Sequence, residues 1–140
     1  MFAWQGRVYW EDTDAGGVVY HSRYLNLFER ARSDWLRRLG FSQADLRDVH
    51  RRLFAVRRVE IDFRQPARLD DELEVRIGLQ SLGSASMTVN QEMRRSDGLL
   101  LATARVRVAS LDAENFRPAR TPAAVLEKLQ AIQENQSEVP

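Results

Sequence analysis

Apolar residues recur at spacings of three and four along one stretch of the chain: Tyr24, Leu25, Phe28, Ala31, Trp35, Leu36 and Leu39. That period predicts an amphipathic helix with a wide apolar stripe, closed by Gly40 as its C′ residue. Ser42 is placed to cap a short second helix running to about Val49. Beyond residue 52 the period becomes two. Phe54 and Val56 share one phase, and Val59, Ile61 and Phe63 the other. The switch at Arg57-Arg58 predicts a bulge, or a strand that uses both faces. Pro66 ends this strand. Leu73, Val75, Ile77 and Leu79 then alternate cleanly with polar residues, and Met87, Val89 and Met93 repeat the pattern with Gln91 interrupting it. Ser96-Asp97-Gly98 predicts a hairpin. A last strand follows over about 99–110, with Ala102, Ala104, Val106 and Val108 on one face. Thr121-Pro122 reads as the N-cap and first residue of a terminal helix. Before all of these, residues 7–10 predict a short strand with Val8 and Trp10 on one face.

The order is therefore strand, long helix, then four strands joined by short turns, an α+β arrangement in which the sheet covers the helix. A sheet face left over points to a dimer or a larger assembly. No internal repeat or linker divides the chain, so residues 1–130 are expected to form a single domain. The polar residues 131–140 are expected to fray.

Composition narrows the chemistry. A formal net charge of +1, from 21 basic and 20 acidic residues, argues against a nucleic-acid partner. Every basic residue except Lys128 is arginine. The lack of cysteine excludes a disulfide scaffold, a thiolate metal site and a cysteine nucleophile. No metal or cofactor is expected. No apolar run approaches the roughly 20 residues of a membrane span, and the first residues lack a leader pattern, so the expected location is the cytoplasm.

The stretch from Tyr9 to Tyr24 carries the candidate chemistry. Glu11, Asp12 and Asp14, the pair Gly16-Gly17, and His21 all lie just before the long helix. A helix start offers unpaired N–H groups and a positive dipole end, which can hold a carbonyl oxygen as it gains charge. A nearby carboxylate can attack that carbonyl carbon or activate water for the attack. Glycine lets the backbone approach a ligand closely. Taken alone, the same residues also fit a helix cap and a turn.

The run from Glu11 to His21, with Tyr24-Leu-Asn-Leu-Phe-Glu-Arg-Ala-Arg32 behind it and Pro66-Ala-Arg-Leu-Asp-Asp-Glu-Leu-Glu-Val75 further on, closely resembles the hotdog-fold acyl-CoA thioesterases. The resemblance is to the 4-hydroxybenzoyl-CoA thioesterase type, nearest to its Tol–Pal-associated subgroup, and covers about residues 7–125. It implies a long central helix wrapped by a curved five-stranded antiparallel sheet. It also implies a homodimer or homotetramer with sites at the dimer interface, and hydrolysis of short- to medium-chain or aromatic acyl-CoA thioesters, with an acyl carrier protein thioester as the alternative substrate. Asp14 matches the family's catalytic carboxylate. His21 matches the residue whose backbone N–H polarises the thioester carbonyl, and its side chain is a further catalytic candidate. Gly17 and Tyr20 are candidate substrate contacts. Arg57 and Arg58 are candidates for the phosphates of CoA, with Arg64, Arg68, Arg94 and Arg95 equally available by composition. Asp12 is read as a turn residue or as a support behind the reacting groups, Glu11 as solvated, and Glu29 as able to reach back toward the helix start or else a plain surface charge. Trp10 stands where many members carry tyrosine, and the hydroxyl is read as dispensable, the alternative being that Tyr9 or Tyr20 substitutes. The competing reading is a non-catalytic hotdog module that binds acyl carrier protein or an envelope-associated complex.

Overall fold

The period-two stretches form one sheet. In the computed structural model of the chain, which describes residues 2–137, the strands are β1 (Phe2–Arg7), β2 (Arg52–Phe63), β3 (Glu72–Leu82), β4 (Ser86–Arg95) and β5 (Leu100–Asp112). Their order is β1-β3-β4-β5-β2. β1 runs antiparallel to β3, with Phe2 opposite Ile77 and Arg7 opposite Glu72. Tight turns make β3, β4 and β5 antiparallel in succession: Gly83 N–H donates to Ser86 C=O, and Arg95 N–H to Leu99 C=O. Gly98 sits at φ +93° in the second turn, a conformation glycine adopts at no steric cost. Among the described residues the α-helices are α1 (Arg23–Arg38), α2 (Gln43–Asp48) and α3 (Ala123–Ser137).

The chain packs as two compact units. One comprises the residues up to Trp35 with Glu60–Gly78 and Gln91–Ala104; the other comprises Leu36–Val59, Leu79–Asn90 and the residues from Arg105 onward. In the first unit α1 buries Tyr24, Leu27, Phe28, Ala31 and Trp35, the face predicted by its three-and-four spacing. Leu27 belongs to that face, whereas Leu25, assigned to the stripe from sequence, is exposed. The two leucines are two residues apart, a rotation of about 200° at 3.6 residues per turn, so they face nearly opposite sides of the helix. The alternating residues Leu73, Val75 and Ile77 of β3 are buried in this unit, as is Met93 of β4.

In the second unit Leu46, Leu79, Met87, Val89, Val106, Val108, Val125 and Leu129 are buried. Ser42 caps α2 as its position suggests, its hydroxyl accepting from Asp45 N–H at 3.0 Å. The residues expected to fray are helical as far as Ser137, and 138–140 lie outside the described residues. Gln136 explains the extension. Its Oε1 accepts from Leu79 N–H at 3.0 Å and its Nε2 donates to Leu79 C=O at 2.7 Å. Among the described residues the pairing of β3 with β1 runs as far as Ile77, and at Leu79 the glutamine amide satisfies the backbone groups in place of a strand partner.

The first strand is also corrected. It spans Phe2–Arg7, not residues 7–10, and the chain turns at a short 3₁₀ segment over Trp10–Asp12. Val8 is fully buried while Trp10 is 84% exposed, so the two do not share a face.

Candidate active site

The segment between β1 and α1 is knit by its own backbone. Thr13 bridges Val19 in antiparallel fashion, and Asp14 N–H donates to Val18 C=O at 2.9 Å, closing a loop over 14–18. Gly17 lies at φ +77°, with no neighbouring atom in the way of a Cβ. Glycine is required there by backbone conformation rather than by crowding. Gly16 donates its N–H to Asp14 Oδ1 at 2.8 Å, and a Cβ on Gly16 would come within 3.2 Å of that oxygen. The loop in turn lies on the 67–69 segment: Val18 bridges Arg68, Val19 N–H donates to Ala67 C=O, and Leu69 N–H to Gly17 C=O.

Asp14 itself is exposed. With Oδ1 bonded to Gly16, Oδ2 has no hydrogen-bond partner among the described residues. Tyr20 and His21 follow the loop, also exposed, with their rings 4.3 Å apart. The helix opens two residues later, and the His21 N–H donates to no acceptor among the described residues. Asp14, Gly17, Tyr20 and His21 are thus brought together in one short segment of the first unit, with the Asp14, Tyr20 and His21 side chains exposed and Gly17 half-buried. Arg57 and Arg58 lie on β2, exposed, in the second unit. Among the other arginines, Arg94 is engaged by Glu92 and Gly98 C=O, and Arg95 by Asp97. Arg68 is the one that the Val18 bridge brings to the loop.

Asp12 differs sharply from Asp14. It is 2% exposed; its Oδ2 accepts from Tyr9 N–H at 3.0 Å, its Oδ1 lies 3.3 Å from Arg23 Nη2, and its C=O accepts from Tyr20 N–H at 2.9 Å. The turn role read from sequence is what the structure shows. Glu11 stays largely in solvent, 3.9 Å from the same guanidinium. Glu29 does not reach back. Its Oε1 accepts from Ser33 Oγ at 2.8 Å, one turn further along α1.

Sequence reasoning missed two supports of the site. The Tyr24 hydroxyl, counted only as core, accepts from Ala67 N–H at 3.0 Å and so fastens the segment under the loop to the first turn of α1. Burial pushes the Tyr24 phenol up, against a smaller opposing pull from that N–H, so the hydroxyl stays neutral. Arg23 is the other; the signal was a lone cation following three carboxylates in one loop.

The thioesterase-like superfamily model matches residues 8–129, most of the chain and both units. The acyl-CoA thioesterase YbgC of Haemophilus influenzae is 42% identical over 124 residues, 89% of this chain and 90% of the relative. The acyl-CoA thioester hydrolase YbgC of Escherichia coli O6:H1 is 40% identical over 126 residues, 90% of this chain and 93% of the relative. Among solved structures, a probable thioesterase from Bartonella henselae superposes with a TM-score of 0.82 at 39% identity, covering 86% of this chain and 98% of that one. The α+β hotdog fold expected from the motif is therefore the fold of this chain.

Proposed function

Because the chain belongs to the thioesterase-like superfamily, an enzyme family of hotdog fold, we propose that it hydrolyses acyl-CoA thioesters to the free acid and CoA. The observation that carries this reading is the loop before α1, where an exposed carboxylate with one free oxygen stands in the same short segment as the unbonded His21 N–H. Asp14 Oδ2 is the working atom. It either attacks the thioester carbonyl carbon, expelling CoA thiolate and leaving an acyl anhydride for water to cleave, or takes a proton from the water that attacks. In both routes the His21 N–H, at the positive end of α1, holds the carbonyl oxygen as it gains negative charge. The His21 imidazole, exposed beside Tyr20, is the candidate to protonate the leaving thiolate.

Gly17 and Tyr20 border the acyl group in this reading. The hydroxyl common at the position of Trp10 is dispensable, in keeping with an indole that stands in solvent. Arg57, Arg58 and Arg68 are the proposed contacts to the phosphates of CoA, and two or four copies assemble with the sites between subunits. The acyl group is short to medium in length or aromatic, and the cytoplasm is the compartment. Among the described residues no helix is long and apolar enough to cross a membrane.

The test is thiol release from a panel of aliphatic and aromatic acyl-CoAs, read with a thiol-reactive dye, for wild type and Asp14→Asn. The protein has no cysteine to give a background. We expect turnover on the panel and a fall of about 10²–10⁴-fold in the variant, the range for losing a positioned acid–base group. Undiminished turnover by Asp14→Asn would remove Asp14 from the mechanism. Wild type that binds acyl-CoA and acyl carrier protein without releasing thiol from either would instead establish the non-catalytic module.

A further inference from the structure

We infer that Arg23 is a positioning residue for the Asp14 carboxylate, acting through Asp12. The inference rests on the reading of Asp14 as the reacting carboxylate.

Asp12 is the hub of the loop. Through its two carboxylate oxygens and its backbone it meets Tyr9 before the turn, Arg23 in the first turn of α1, and Tyr20 on the far side of the candidate loop. Asp14 leaves this hub two residues later and carries its carboxylate into solvent. A carboxylate as buried as Asp12 needs both hydrogen bonds and a countercharge. The Tyr9 N–H supplies the first and the Arg23 guanidinium the second. The ion pair of Asp12 with Arg23 also ties the turn before the loop to the first turn of α1, so loss of either partner releases Asp14 from its place relative to the start of α1.

The manner in which Arg23 is held supports a charge role. Its side chain is 31% exposed and reaches Asp12 through Nη2, while Nε is buried with no hydrogen-bond partner. A residue chosen for a two-pronged guanidinium grip would engage both edges of the carboxylate. Here a single point of positive charge does the work, so lysine should substitute, although Arg and Lys are not interchangeable at forked sites.

The experiment uses the full chain and the acyl-CoA that wild type hydrolyses fastest, comparing Arg23→Met, Arg23→Lys, Asp12→Asn, the double variant Arg23→Met/Asp12→Asn, and Asp14→Asn. We expect Arg23→Met to lower kcat about tenfold or more with KM within twofold of wild type, and Arg23→Lys to restore most of kcat. Asp12→Asn keeps an acceptor for Tyr9 N–H and so should fold even if Arg23→Met does not; it should show the same loss in kcat. The double variant removes the buried charge that Arg23→Met strands, so its thermal midpoint should recover while kcat stays low. Recovery of kcat together with the midpoint would make Arg23 a fold-stabilising residue only and overturn the proposal. So would full kcat in folded Arg23→Met, or in Asp12→Asn. If Asp14→Asn is inactive while these variants are not, the positioning role fails and Asp14 stands. If Asp14→Asn is fully active, the catalytic reading fails first.

Discussion

Asp12 and Asp14 have the same side chain and are separated by one threonine, yet they stand in opposite environments. The difference comes from which of them the chain turns on. Asp12 ends a 3₁₀ turn and folds under it, where Tyr9 N–H and Arg23 compensate its charge. Asp14 opens the next loop, and among the described residues its carboxylate accepts only from the Gly16 N–H. Composition and spacing alone would not separate them; their burial does. The turn that presents Asp14 depends on Gly17 at φ +77°. Gly17→Ala is expected to lose about 1–2 kcal/mol in denaturant unfolding, the cost of a Cβ in left-handed backbone, and Gly17→Asn less, since Asn tolerates that region. Equal losses for the two would show that something other than φ sets the requirement. At the same scale, Arg68→Ala is expected to raise KM for acyl-CoA about tenfold if its guanidinium meets phosphate, the worth of one charged hydrogen bond. Arg57→Ala and Arg58→Ala, assayed alongside, test the two arginines chosen from sequence.

Between elements, α1 is fastened to β4 by polar atoms inside an apolar contact. Gln91 is 1% exposed; its Nε2 donates to Phe28 C=O at 2.9 Å, and its Oε1 accepts from Arg32 Nη1 at 2.9 Å. Burial pulls the Arg32 guanidinium below its ordinary pKa, with Glu29 opposing, and among the described residues its one hydrogen-bond partner is this neutral amide. The polar residue that interrupts the alternation of β4 is therefore a bracket between sheet and helix. Gln91→Leu is expected to destabilise by about 2–3 kcal/mol, because Arg32 loses its acceptor. Arg32→Leu/Gln91→Leu should be more stable than Gln91→Leu alone, as it removes the stranded donors too; urea unfolding of the set decides this. The β4–β5 turn gives a pH signature. Asp97, hydrogen-bonded by Arg95 and by Leu99 N–H, is held down at about 2. A carboxyl depressed in the folded state stabilises it above the unfolded value near 3.8, and that contribution disappears as pH falls toward 2. NMR titration should place the Asp97 midpoint near 2, and Asp97→Asn should flatten the loss of stability across that window.

For the molecule as a whole, β2 lies at one end of the strand order and is 12 residues long, with Val56 exposed along it. A long edge strand invites pairing with another chain. Light scattering is expected to give the mass of two or four 16.2 kDa chains; a single-chain mass would overturn the shared-site assembly proposed above. Much of this molecule was legible in one dimension. The helix period, the alternation of β3, β4 and β5, the cap at Ser42 and the glycine turn at Gly98 are local, since each depends on residues within a few positions of one another and on backbone sterics. So is the motif before α1, whose residues are contiguous and which identified the family. Four features were decided only in three dimensions. β1 ends before Trp10 because Asp12 turns the chain beneath it. α3 extends to Ser137 because Gln136 finds a strand edge 57 positions away. Gln91 is buried because Phe28 and Arg32 meet it there, and Arg23 matters because Asp12 is buried beside it. Each is a polar group matched to a partner by packing. Hydrophobic periodicity reports which face turns inward, whereas the partner of a buried polar atom is set by contacts distant in sequence.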